Sequence, residues 1–91
     1  MRFEWDENKE QINIRKHGID FTTASMIFGD VNRIELYDAN HSLYEDRFIT
    51  IGTVHGRVLI LTVVYTAREN SIRIISARMA NQKEKEVYLH G

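Results

Sequence analysis

Cations in the second half of the chain could form a site for phosphodiester chemistry. Four arginines stand on or beside segments that otherwise read as strands, namely Arg57, Arg68, Arg73 and Arg78. Guanidinium groups bind phosphate through paired hydrogen bonds, and they stabilise the charge that builds up on a pentacoordinate phosphorus. A nearby histidine or tyrosine would move protons while the 2′-hydroxyl of RNA attacks. These residue types therefore fit a ribonuclease that needs neither a metal ion nor a cofactor.

Lys16 and His17 are candidates for proton transfer in the first half of the chain. They precede Gly18, which marks the end of a predicted helix. The negative end of the helix dipole favours a protonated imidazole, which is a useful state for a general acid. A histidine that only caps the helix would have the same surroundings, so both roles stay open.

Tyr65 ends the longest apolar run of the chain and comes shortly before Arg68. Its ring could stack on a base, and its hydroxyl could orient a phosphate. The more frequent outcome for such a residue is a core aromatic whose hydroxyl lies at the rim of the core.

Several other chemistries are excluded or disfavoured. The chain has no cysteine, so thiol nucleophiles, thiolate metal sites and disulfides are excluded. It has no glycine-rich phosphate loop and no nucleophile elbow, and its histidines lack zinc-ligand spacing. Three acids near Arg47 leave a two-metal nuclease open as an alternative, although a solvated loop is the better interpretation; they are Asp38, Glu45 and Asp46.

The formal charge of −1 conceals an asymmetry between the two halves. Residues 1–46 contain ten acids and five bases, whereas residues 47–91 contain three acids and seven bases. A basic half fits an anionic ligand. On this count alone, mutual neutralisation of two halves that pack together is the simpler explanation.

The length of 91 residues fits one domain, residues 1–91. The longest apolar run, Val58–Tyr65, is too short to cross a bilayer, and the N-terminus lacks the apolar core of a signal peptide. We therefore expect a cytoplasmic protein that makes no membrane contact.

Capping residues and hydrophobic periodicity predict the elements that must position these side chains. Three helices are expected, which are Glu7–His17 after Asp6, Phe21–Phe28 after Asp20, and Asn81–Leu89 capped by Asn81. Five strands are expected, which are Phe3–Trp5, Arg33–Asp38, Arg47–Val54, Arg57–Thr66 and Ser71–Arg78, with a hairpin turn at His55-Gly56.

This order predicts a compact α+β domain. The N-terminal helices should pack on one face of an antiparallel four- to five-stranded sheet, followed by a C-terminal helix. The apolar run Val58–Tyr65 should be the central strand, covered on both faces. The other face of the sheet could stay open and concave.

Regular alternation along the last strand predicts which side chains share a face. Arg73 should lie with Ser71 and Ala77, and Arg78 should lie on the opposite face with Ile74. Arg68 and Arg73 should lie near each other across the hairpin that joins the last two strands.

Short motifs along nearly the whole chain resemble those of the BrnT family of toxins. The resemblance is carried by Phe3–Lys9, Asn13–Phe21 with Ala24 and Phe28, Arg47-Phe48, Ile51-Gly52, Gly56–Leu59, Val64–Thr66 with Arg68, Arg73–Arg78, Glu84 and Tyr88. The motifs occur in the family's order, and their combination is specific although each is short.

The resemblance implies a fold and a function. BrnT toxins belong to type II toxin–antitoxin systems and have a RelE-like ribonuclease fold. We therefore expect a toxin that cleaves RNA and inhibits translation, and that a cognate BrnA-like antitoxin neutralises. The resemblance also implies that operator DNA is bound only through the complex with the antitoxin.

The resemblance also selects site residues. The positions that match the family's motifs are Lys16, His17, Tyr65, Arg68, Arg73, Ser76 and Arg78. One departure is Met79–Gln82, where a more basic stretch is expected, so the last helix should bind RNA less tightly. The alternative function from another class is a non-catalytic module that binds a partner protein on the open sheet face.

Overall fold

The computed structural model describes residues 1–54 and 59–91. The strands in these residues are β1 (Arg2–Glu4), β2 (Ile34–Tyr37), β3 (Arg47–Thr53), β4 (Ile60–Arg68) and β5 (Ser71–Met79). The α-helices are α1 (Glu7–His17), α2 (Phe21–Ser25) and α3 (Gln82–His90). The predicted turn at His55-Gly56 and the side chain of Arg57 lie outside the described residues.

All five strands belong to one sheet with the order β1-β5-β4-β3-β2. Strands β2 to β5 form the predicted antiparallel meander, and β4 is the central strand. Strand β1 pairs with the outer edge of β5 in the parallel direction, so the complete sheet is mixed. The predicted α+β class is confirmed, whereas the RelE-like likeness stays a prediction.

The predicted caps define the first helix. The Asp6 carboxylate accepts hydrogen bonds from the backbone N–H groups of Asn8 and Lys9, at 2.8 and 3.1 Å. At the other end Gly18 has a φ of 72°, a left-handed conformation that glycine adopts without steric cost. Lys16 and His17 are thereby held in the last turn of α1.

The second predicted helix has a change of winding that the sequence pattern did not indicate. Its α-helical part ends at Ser25, and the chain tightens into a 3₁₀ turn over Met26–Gly29. Asp30 then donates its backbone N–H to the carbonyl of Ile27 at 2.9 Å and ends the turn.

The hydrophobic core lies between α2 and one face of the sheet, which we call the helix face. Its members are fully or almost fully buried, and they include Phe21, Ala24, Ile27, Leu61, Val63, Ile74 and Ala77. Aromatic side chains extend the core, because Phe3, Trp5 and Phe28 pack against it. This confirms the prediction that the N-terminal helices pack on one face.

Helix α1 is attached to the sheet by a buried asparagine. Asn13 donates to the carbonyl of Ala77 at 2.8 Å and accepts from the N–H of Ala77 at 3.0 Å. Its amide also donates to the carbonyl of Ile19 at 2.9 Å. Asn13 thus satisfies backbone groups at the edge of β5 in the way that a neighbouring strand would.

The opposite face of the sheet is only partly open. Helix α3 lies across it, where Glu84 contacts Thr62, and no residue of α3 is itself buried. Thr62 and Ile51 on this face are 2% and 1% exposed. No helix within the described ranges is long and apolar enough to span a membrane.

Candidate functional site

A bulge in β5 decides which of the predicted site residues share a face. Val64 is paired with Ser76, but the next residue, Tyr65, is paired with Ile74, so Ile75 is an extra residue on β5. The extra residue shifts the alternation of side chains by one position. The prediction that Arg73 and Arg78 lie on opposite faces is therefore wrong.

The pairing register places four of the predicted residues on one face. Thr62, Val64 and Thr66 alternate along β4, and their partners on β5 are Arg78, Ser76 and Arg73. Arg68 follows Thr66 by two residues and has the same orientation. We call this surface the arginine face; it carries Arg68, Arg73, Ser76 and Arg78, and α3 covers one end of it.

Two of these arginines are bound to exposed carboxylates. Arg73 Nη1 lies 3.2 Å from Glu4 Oε2 on β1, and Arg68 Nη2 lies 3.3 Å from Glu45 Oε2. The hydrogen bond that Ser71 donates, together with the charges of Arg73 and Arg68, lowers the pKa of Glu4. Both arginines therefore act on one carboxylate, as expected from their predicted proximity.

Arg78 has a more tightly bound partner. Its two terminal nitrogens donate to the two carboxylate oxygens of Glu84 at 2.7 and 2.8 Å. The hydrogen bonds from Arg78 lower the pKa of Glu84 from 4.5 to about 2, with further contributions from the Asn81 backbone and Thr62. This bidentate pair joins α3 to the sheet and leaves the Arg78 side chain 41% exposed.

Tyr65 is not brought together with the arginines. It lies on the helix face, where its ring stacks against Phe48 and meets Phe28 edge-on, with centroid distances of 5.5 and 5.1 Å. Its hydroxyl donates to Glu35, whose carboxylate also accepts from Arg33. Burial and the bond to Glu35 raise the pKa of Tyr65 far above its usual value. The Tyr65 hydroxyl is therefore neutral and already hydrogen-bonded, and its bond to Glu35 joins β4 to β2.

Lys16 and His17 border a groove of about 180 Å³ between α1 and β5. Ile75 and Ser76, the residues at the bulge, form its other side. The groove therefore brings Lys16 and His17 beside Ser76. Ser76 links this groove to the arginine face, because it is paired with Val64 on that face.

The acids of the loop before β3 have separate partners. Asp38 binds His41 at 3.0 Å, Glu45 binds Arg68, and Asp46 accepts from the Tyr37 hydroxyl at 2.9 Å. In the part of the chain that the structure describes, no three His, Asp or Glu side chains are arranged to hold a metal ion. The two-metal alternative therefore gains no support from this loop.

Two residues of this region were missed as contributors to the site. Arg47 is paired with Thr66, so it lies on the arginine face in the same row as Arg73. Alternation along β3 places Arg47 on the same face as Ile51, so the sequence pattern could have identified it. Asn13 sets the position of α1, and hence the groove, but its polar side chain on a helix gave no signal of burial.

These features define a small α+β domain with a cationic sheet face and a groove that holds a lysine and a histidine. A comparison with models of protein families identifies the class of protein to which such a domain belongs. The model described as "Ribonuclease toxin, BrnT, of type II toxin-antitoxin system" matches residues 5–84. A search of curated proteins found no match.

The chain belongs to the BrnT family of ribonuclease toxins of type II toxin–antitoxin systems. It is accordingly an endoribonuclease toxin, and an antitoxin is its partner. The family resemblance seen in the sequence motifs is thereby confirmed.

Proposed function

We propose that the toxin binds and cleaves RNA on the arginine face, without a metal ion. The observation that carries this proposal is the bulge at Ile75, because it gathers Arg73, Ser76 and Arg78 on the face that also holds Arg68. Several guanidinium groups on one face suit a substrate with successive phosphates.

The proposed reaction uses charge and proton transfer alone. The 2′-oxygen of a ribose bonds to the adjacent phosphorus while the bond from phosphorus to the 5′-oxygen breaks. One protein group takes the proton of the 2′-hydroxyl, and another gives a proton to the leaving 5′-oxygen. Guanidinium groups of the arginine face stabilise the pentacoordinate phosphorus and bind the phosphates next to it. The products are a cyclic phosphate and a 5′-hydroxyl.

The ion pairs of the arginine face are weak enough for RNA phosphates to replace their carboxylates. Exposed pairs contribute only about 0–1 kcal/mol, so an RNA phosphate can displace Glu4 from Arg73 and Glu45 from Arg68 at little cost. The bidentate pair of Arg78 with Glu84 is shorter and holds α3, and a phosphate at Arg78 must compete with it. Arg68 and Arg73 are thus the first contacts, and Arg78 completes the site.

Lys16 and His17 supply the proton-transfer groups in this proposal. Support comes from the groove of about 180 Å³, in which both residues lie beside Ser76. The hydroxyl of Ser76 can hydrogen-bond a phosphate oxygen that reaches from the arginine face toward the groove. Tyr65 keeps a supporting role, since its hydroxyl is bound to Glu35 on the helix face.

The proposal extends to the setting in which the toxin acts. We infer that the antitoxin is BrnA-like, that its complex with the toxin contacts operator DNA through the antitoxin, and that RNA cleavage arrests translation in the cytoplasm. These inferences rest on the family to which the chain belongs.

Expression in bacteria without the antitoxin tests the arginine face. Arg73→Ala and Arg78→Ala should each abolish growth inhibition and RNA cleavage while the thermal unfolding transition persists. Arg15→Ala is the matched control, because Arg15 is an exposed arginine of α1 outside the groove. If both single variants remained fully toxic, the arginine face would not be the site.

Cleavage by the purified protein tests the absence of a metal requirement. Activity should persist in EDTA. Activity that is lost in EDTA and restored by Mg²⁺ would favour the acidic-loop alternative. A wild-type protein that cuts no RNA at high concentration but retains a partner would favour the non-catalytic binding module.

A further inference from the structure

A second cavity lies at the end of the arginine face that α3 does not cover. It has a volume of about 350 Å³ and is formed by the connection between β2 and β3 and by the start of β3. Its lining combines one guanidinium, one imidazole, one amide, one phenol ring, one aliphatic side chain and one carboxylate that is paired with Arg68, and consists of Asn40, His41, Leu43, Tyr44, Glu45 and Arg47.

Arg47 differs from the other arginines of this face in its lack of a carboxylate partner. Arg68, Arg73 and Arg78 each form an ion pair. Within residues 1–54 and 59–91, no carboxylate forms an ion pair with Arg47. A phosphate that binds Arg47 therefore does not have to displace a carboxylate from an ion pair.

The register connects this cavity with the proposed catalytic surface. Arg47 on β3 is paired with Thr66 on β4, and Thr66 is paired with Arg73 on β5. Two strand spacings, or about 10 Å, thus separate the backbones of Arg47 and Arg73. The short, buried side chain of Thr66 lies between them, so no large side chain of β4 blocks the path from the cavity to Arg73.

Tyr44 gives the cavity an aromatic surface. Tyr44 is 99% exposed, so its ring is accessible to a ligand. Exposed aromatic rings beside a cationic groove are the features on which bases of single-stranded nucleic acids stack. His41 on the same cavity is oriented by Asp38, whose carboxylate lies 3.0 Å from the ring nitrogen Nδ1.

We propose that this cavity binds one nucleotide of the single-stranded RNA substrate next to the site of cleavage. Arg47 binds its phosphate, and Tyr44 stacks on its base. The proposal rests on the proposed function of the arginine face, and it names the substrate as an unpaired strand. A duplex would not present a free base to Tyr44.

Binding of a non-cleavable RNA tests this subsite. The probe is a short fluorescein-labelled oligoribonucleotide with 2′-O-methyl groups, measured by fluorescence anisotropy at several salt concentrations. Arg47→Ala should weaken binding about tenfold. The logarithm of the association constant should also fall less steeply with the logarithm of the salt concentration, by about 0.7 in slope, which is the value for one lost phosphate contact. Tyr44→Ala should weaken binding about tenfold without changing that slope.

Two control variants show whether a loss of affinity comes from the Tyr44 ring and the Arg47 charge or from a general defect in RNA binding. Tyr44→Phe should restore the affinity that Tyr44→Ala loses, because the ring and not the hydroxyl does the stacking. Arg15→Ala should keep the wild-type affinity and slope, since Arg15 lies on α1 outside the cavity.

The outcomes distinguish this proposal from the one on which it rests. Wild-type affinity in both Arg47→Ala and Tyr44→Ala would overturn the subsite while the arginine face stands. If those variants instead weakened only the complex with the antitoxin, the cavity would be a protein-contact surface and the proposal would be wrong. Failure of the wild-type protein to bind or cut any RNA would overturn both.

Discussion

The two faces of the sheet are stabilised in opposite ways. On the helix face, Phe21, Ile27 and Val63 are 0% exposed and lie in one apolar cluster. On the arginine face, α3 has no buried residue and is held by polar contacts, chiefly Arg78 with Glu84 and Tyr88 with Asp30. Free energy of folding therefore comes mainly from the first face.

The difference explains how a chain of 91 residues can carry several arginines on one face of its sheet. Buried apolar area supplies most of the stability of a small domain. Since the helix face contributes that area, the arginine face is free to carry groups that do little for folding. Stability and proposed activity should then respond to different substitutions.

The largest effect is expected on the helix face. Ile27→Ala should lower the free energy of unfolding by about 3 kcal/mol, because it removes a fully buried side chain and leaves a cavity. Urea denaturation measures the change. Arg73→Ala should cost less than about 1 kcal/mol. Similar losses in both variants would refute the division of labour between the faces.

The second largest effect on stability is expected where α1 is attached to the sheet. Asn13→Ala leaves the N–H and the carbonyl of Ala77 and the carbonyl of Ile19 without their partner, so we expect a loss of about 2–3 kcal/mol. Asn8→Ala, at an exposed position of the same helix, should change stability by less than about 0.5 kcal/mol. Equal stabilities of the two variants would show that α1 is held by apolar contacts alone.

Acid should weaken the attachment of α3. Although burial raises the pKa of Asp30, hydrogen bonds from Tyr88, Thr53 and Asn32 outweigh it and lower the pKa to about 2. The pKa of Glu84 is likewise about 2. Folding lowers both values, so the stabilisation is present above the ordinary pKa values of 3.8 and 4.5, and it is lost as the pH falls toward 2.

Glu84→Gln isolates one part of that pH dependence. At pH 7 the variant should be less stable than the wild type by roughly 2 kcal/mol, and the difference should shrink as the pH falls from 4.5 to 2. Urea denaturation at a series of pH values measures it. A difference that is independent of pH would mean that the ionised pair does not hold α3.

The smallest effect is expected for the other contact of α3. Tyr88→Phe removes the hydrogen bond that the hydroxyl donates to Asp30 and should cost about 1 kcal/mol. Tyr44→Phe should leave stability unchanged, because that side chain is 99% exposed. If Tyr88→Phe lost much more stability than Glu84→Gln does at pH 7, Tyr88 would be the main attachment of α3.

The sequence predicted most elements because their signals are local. Asp6 and Gly18 bound α1, and Asn81 caps α3 through a hydrogen bond to the N–H of Glu84, as their residue types indicated. Strand patterns likewise located the four antiparallel strands, with alternation of apolar and polar residues over Arg33–Asp38 and an almost entirely apolar run in the central strand. None of these features requires knowledge of a distant residue.

The arrangement of the site could not be predicted in the same way. The bulge at Ile75 depends on how β5 pairs with β4, and strict alternation assigned Arg73 and Arg78 to opposite faces. The bond between Asn13 and Ala77 joins residues 64 positions apart. The family motifs identified Arg73, Ser76 and Arg78 as candidates, but only the register shows that they share a face.

The parallel pairing of β1 with β5 determines when the N-terminal elements can fold during synthesis of the chain. Glu4 and Ser71 are 67 positions apart, so β1 can pair with β5 only after β5 has left the ribosome. The attachment of Asn13 to Ala77 imposes the same delay on α1. A chain that stops before β5 lacks Arg73 and Arg78 and also the strand on which α1 docks. Such a chain therefore carries neither the two arginines of the proposed site nor a docked helix α1.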